Sequence, residues 1–97
     1  MSIDSAVSAL RVADFRQAIS ANNVANMFTP EFRASRAIPR EQITQNGVDA
    51  YSVKTDHGTD LAEEMVEQNV VMSYAKANGK VIEVHNEMFG SLIDMFG

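Results

Sequence analysis

The sequence predicts a mostly α protein in which long N- and C-terminal helices pair as an antiparallel coiled coil around an irregular connector. Three observations lead there. Ile3 to Met27 is rich in Ala and free of Gly and Pro, as an uninterrupted helix requires. Leu61 to Phe96 lacks Pro and repeats apolar residues at 4-3 spacing. Between them, Pro39, Gly47 and Gly58 break up any helical period. The chain accordingly divides into residues 1-30, 31-58 and 59-97.

In the first helix a 4-3 line runs through Ile3, Ala6, Leu10, Ala13, Gln17, Ser20, Val24 and Met27, with Val12, Phe15 and Ile19 beside it. Gln17 and Ser20 interrupt the apolar line, and polar residues in a helix seam fix register at some expense of stability. Pro30 disfavours helical backbone at Thr29 and has no N–H to donate, so the helix is expected to end near Met27.

The connector contains a candidate short β-hairpin. Asn46-Gly47 suits a two-residue type I′ turn, with Ile43 before it and Val48, Tyr51 and Val53 after it. An isolated two-stranded hairpin is marginal in water, so this one is expected to lean on a helix or a neighbouring molecule.

Asp60 is placed to cap the second helix, with Glu63 reaching back in an Asp version of the capping box. One 4-3 line passes through Leu61, Met65, Gln68, Met72, Ala75, Gly79, Ile82, Asn86, Phe89, Ile93 and Phe96. A second passes through Val66, Val70, Ala77, Val81, Val84, Met88, Leu92 and Met95. The expected arrangement has Leu61, Met65, Met72 and Ile82 facing the N-terminal helix and the second line facing neighbours. The shorter first helix cannot cover both lines, so other molecules must supply the remainder.

Composition narrows the function classes. The 97 residues, 45% of them hydrophobic, amount to one small domain or two helical arms around a short middle. A formal net charge of -5, a pI near 4.8 and no basic run argue against nucleic acid or an anionic membrane as partner. The absence of cysteine removes disulfides, thiolate nucleophiles and Cys-based metal sites. Met1 to Ala6 lacks the basic and apolar regions of a secretory signal peptide, and no apolar run approaches the ~20 residues that span a bilayer.

No chemistry is expected. His57 stands beside Gly58 in the connector near Asp56 and Asp60, and His85 lies between Glu83 and Glu87 without a second His at i+4. No serine carries nucleophile-elbow glycines, and no glycine-rich loop cradles phosphate. No catalytic residue, cofactor or metal ligand is assigned.

Ala21-Asn22-Asn23-Val24-Ala25-Asn26-Met27-Phe28-Thr29-Pro30-Glu31-Phe32-Arg33-Ala34 resembles the N-terminal signature of bacterial flagellar rod, hook and hook-associated proteins. Asp60 to Val66, Tyr74 to Asn78, Val81-Ile82 and Glu87-Met88 resemble the family's C-terminal signature, in the same order and at similar distances from the terminus. Glu31 departs from the pattern at a position where small residues, often Gly, are usual. Gly79 departs from it by interrupting the long helix, and the connector is shorter than in typical rod proteins.

The resemblance implies a structural subunit of the flagellar basal-body rod, of the small proximal type. Such a subunit polymerises through its terminal helices for motility and crosses the periplasm within the axial structure. It is exported through the flagellar export apparatus without a cleaved signal peptide, and its partners are itself and other rod and hook proteins, with neither nucleic acid nor membrane insertion. The residues expected at the assembly interface are Leu10, Asn22, Asn23, Asn26, Pro30, Leu61, Met65, Met72, Tyr74, Asn78, Ile82 and Met88. A bland reading of the asparagines competes: a polar helix end that bonds locally before Pro30. The alternative function is a type III export chaperone or adaptor, which would also be small, acidic and helical but would remain a discrete oligomer.

Overall fold

A computed structural model describes residues 3–41 and 47–96. Helix α1 spans Ile3–Ala25, strands β1 and β2 span Ser35–Glu41 and Val48–Lys54, and helix α2 spans Leu61–Phe96. The two helices pack together, and the strands form an antiparallel hairpin between them in sequence. The molecule is elongated, 63 × 27 × 14 Å.

Helix α1 ends as Pro30 dictates, in a turn through Asn26, Met27 and Phe28 that continues the backbone bonding by one tighter step. Asn26 N donates to the Asn22 carbonyl, Met27 N to that of Val24 and Thr29 N to that of Asn26. Reversal of the chain needs left-handed backbone at Glu31, where φ is 61°. Such a conformation costs a residue with a Cβ about 1 to 2 kcal/mol, the physical reason for a glycine preference at this place.

The hairpin starts earlier than expected. Pro39, expected to break structure, sits inside β1 opposite Ala50. A two-stranded sheet consists of two edges, so a residue without an N–H is tolerated there and blocks further pairing. Ile43 and Asn46, and with Asn46 the expected Asn46-Gly47 turn, lie outside the described residues. At its closed base, Ala34 N donates to the His57 carbonyl and Thr55 N to that of Ala34. Toward its tip, Arg40 grips Asp49 with two bonds of 3.1 and 2.9 Å. Val48 N donates to Ser8 Oγ at 3.2 Å, so the hairpin folds back along α1 and leans on it.

Asp60 caps α2, with Glu63 N donating to its carboxylate at 3.3 Å. The Glu63 carboxylate is held instead by Arg36, at 2.6 and 3.1 Å, and the reach-back of a capping box is not what it serves. Helix α2 passes through Gly79 without interruption.

The helices run antiparallel, as Asn23 bonds Glu64, Ser20 bonds Gln68 and Arg16 bonds Glu67. Their buried faces follow 4-3 lines, but not the most apolar ones. On α1 the line is Ala6, Ala9, Ala13, Arg16, Ser20 and Asn23; on α2 it is Glu64, Gln68, Val71, Ala75, Asn78, Ile82 and His85. The orientation expected for Leu61, Met65 and Met72 is thus corrected: all three are exposed, and only Ile82 of that set is half-buried. The cause is a seam lined by small residues and by polar groups that satisfy one another, which displaces the large apolar side chains to its flanks. The buried apolar core is correspondingly slight: Ala6, Ala9, Val12, Ala13, Ala34 and Val71.

Candidate interaction surface

The junction of all three segments is built on Asn23. Fully buried, it donates through Nδ2 to the Ser35 carbonyl at 2.9 Å and to Glu64 Oε2 at 3.2 Å, and accepts from Ser35 N at 2.9 Å through Oδ1. Its backbone carbonyl accepts from Thr59 Oγ1 at 2.7 Å. One amide therefore pins the end of α1 to the start of β1 and of α2, using donors and acceptor together.

Glu64 is fully buried beside it and ion-paired with Arg36 at 2.9 Å. Burial pushes its pKa up. Hydrogen bonds from Arg36, Asn23 and Ser20 outweigh that, and the carboxyl ends below the ordinary glutamate value. The Glu64 and Glu63 carboxylates, against the opposing effect of burial, raise the Arg36 pKa. Further along the seam Arg16 clasps Glu67 with two bonds of 3.0 and 2.8 Å, while Gln68 donates to Ser20 Oγ at 3.0 Å. These contacts set the register of the pair, because each requires its partner at one axial height.

The expected interface residues fall into three groups. Asn23 and Asn78 are buried and bond within the chain, Asn78 Nδ2 donating to the Tyr74 carbonyl at 2.9 Å. Asn26 donates to the Asn22 carbonyl at 2.9 Å and accepts from Thr29 Oγ1, the local knot that the bland reading describes. Leu10 and Ile82 are half-buried, and Asn22, Pro30, Leu61, Met65, Met72, Tyr74 and Met88 are exposed. The structure thus brings Asn23 into a junction with Glu64, Arg36 and Ser35, and leaves the methionines and Leu61 facing outward.

The exposed apolar surface is large for so small a molecule. Phe28 is 89% exposed at the turn, and Val66, Val70, Val84, Phe89, Leu92, Ile93, Met95 and Phe96 are exposed along α2. Surfaces of this kind mark interaction sites. Phe89, Ile93 and Phe96 were on the 4-3 line of the sequence. Glu64 and Arg36 were missed, since nothing local distinguishes a buried glutamate from one favoured at a helix N-terminus.

His57 Nδ1 lies 2.8 Å from the Gly58 carbonyl and its own carbonyl accepts from Ala34 N, which ties it to the hairpin base. Among the described residues no group of three or more His, Asp or Glu side chains is placed to hold a metal ion, and no helix is long and apolar enough to cross a membrane.

Comparison with curated proteins gives no match. Residues 3–33, which make up α1 and its terminating turn, match the family model described as flagella basal body rod protein.

Proposed function

We propose that the chain is a structural subunit of the basal-body rod that polymerises through its terminal helices, against copies of itself and other rod and hook proteins, and so serves motility. One observation carries this reading. The family-matched segment forms α1, and the helix paired with it leaves its largest apolar side chains exposed. A core of alanines and two valines holds the pair together only modestly, so assembly supplies burial that the subunit lacks.

In this reading the subunit reaches the rod through the flagellar export apparatus without a cleaved signal peptide, and it performs no catalysis. Removing the C-terminal turn, Leu92 to Phe96, is expected to abolish swimming and the recovery of the subunit in purified basal bodies. Normal swimming with the truncated chain in complete rods overturns the proposal. A discrete oligomer absent from basal bodies, yet required for export of another rod protein, would favour the chaperone reading instead. Substituting His57 and His85 together by Ala should leave swimming intact; its loss in a folded variant overturns the non-enzymatic reading.

A further inference from the structure

The two edges of the β1–β2 hairpin are unlike. At its base Thr55 N donates to the Ala34 carbonyl, so Ala34 bonds toward β2, and along each antiparallel strand the direction alternates from there. Ser35, Ala37, Pro39 and Glu41 therefore turn their backbone groups to the free edge of β1, and Val48, Ala50, Ser52 and Lys54 turn theirs to that of β2. Two contacts agree with this assignment: Ser35 N and O meet the Asn23 amide, and Val48 N meets Ser8 Oγ.

The β1 edge is closed. Asn23 occupies both backbone groups of Ser35, and Pro39 has no N–H to offer in the middle of the strand. The β2 edge is open. Ser8 takes Val48 N, but the outward N–H and C=O groups of Ala50, Ser52 and Lys54 meet no partner among the described residues. Neither a proline nor a break in register protects this stretch.

We infer that the β2 edges of two copies pair antiparallel about a two-fold axis through Ser52, making one four-stranded sheet. The occupant is a second copy because the strand is self-complementary in this register. Ser52 faces its own counterpart, Lys54 faces Ala50 rather than another charge, and Tyr51 faces Val53 on both sides of the axis. Tyr51 and Val53 are 46% and 39% exposed in the single chain, and an aromatic opposite a β-branched residue is a favourable cross-strand pair. No other axis sets these two against each other: at Tyr51 it would oppose Val53 to Asp49, and at Val53 it would oppose Tyr51 to Thr55. An isolated two-stranded hairpin is marginal, and a four-stranded sheet supplies what it lacks. Both outer edges of that sheet are β1 edges, already closed, so the contact stops at a dimer. It uses neither terminal helix and does not rest on the rod reading.

The full chain tests this through Ser52→Cys, which places a single thiol in a protein without cysteine. Directly opposed residues that exchange both backbone bonds have Cα atoms about 5.5 Å apart, within disulfide reach. With oxidised glutathione as the oxidant, the Ser52→Cys chain should form a disulfide dimer roughly tenfold faster than a Ser73→Cys chain, whose position is exposed on α2. Adding Ala50→Pro removes an outward N–H and leaves the β1–β2 ladder intact, so it should slow this crosslinking about tenfold. Adding Val53→Ala instead, at an exposed side chain, should slow it about threefold and covers the case of a misfolded proline variant. Circular dichroism checks the helicity of each chain. Equal rates at Ser52 and Ser73 overturn the proposal, as does rapid crosslinking that both added substitutions leave unchanged. Removing Leu92 to Phe96 should not alter the Ser52 crosslink; its loss would assign the contact to the helices and overturn the proposal too. Swimming and basal-body recovery report separately on the rod reading.

Discussion

At Glu64 a charged side chain occupies a seam position where an apolar one would pack, fully buried and held by Arg36, Asn23 and Ser20. Such a group stabilises only while its partners are in place. The folded state lowers its pKa, so the contribution is complete above the ordinary glutamate value of about 4.3 and is lost as pH falls through the folded value. Glu64→Gln should destabilise by roughly 2 to 4 kcal/mol at pH 7, since Arg36 loses its buried partner. Urea unfolding should show the gap between the variant and the unaltered protein closing below pH 4; a gap independent of pH would mean that Glu64 acts through shape alone. Glu31 gives the opposite sign. Its φ of 61° suits glycine, and Glu31→Gly should raise stability by about 1 kcal/mol, read as a higher urea midpoint with unchanged slope.

The elements themselves were legible, and their facing was not. Pro30, Asp60 and the Gly- and Pro-free stretches gave both helices to within about two residues at each end, because caps and breakers act locally. The facing went wrong by a single residue at alternate positions, Leu10 for Ala9 and Met72 for Val71, while Gln17 does reach across the pair, donating to the Gln68 carbonyl beside the Arg16–Glu67 contact. A 4-3 repeat drifts about 20° per heptad on a straight helix, and a search for the most apolar line cannot see that Arg16, Asn23 and Glu64 are satisfied by partners distant in sequence. Asn23 was legible as a special residue but not as the junction of three segments, for its partners Ser35 and Glu64 arrive only with the fold. Pro39 misled because edge strands tolerate what central strands exclude. Gly79 weakens α2 without any packing reason: a Cβ built there meets nothing within 4 Å. Gly79→Ala should therefore stabilise by about 1 kcal/mol. A loss of stability would reveal a close approach at this face.

Across the whole molecule, order should be graded along the long axis. Between residues 64 and 85, α2 has α1 beside it; from 86 to 96, its overhang, every residue is exposed. An isolated helix shorter than about 12 to 15 residues is marginal in water, and Gly90 lowers its propensity further. The overhang should therefore fray in the free subunit, and pairing with a second molecule should order it by burying Phe89, Ile93 and Phe96 at about 25 cal/mol per Å² of apolar surface. Folding of this segment and assembly then become one coupled step. Amide exchange on dilute protein should show protection for Val71 through Ile82 and little beyond Glu87. At concentrations where scattering detects chains, protection should extend to Ile93. Strong protection of residues 88 to 94 in a solution free of oligomers would uncouple the two events, and the overhang would then be a preformed rigid spike that meets its partner without an ordering penalty.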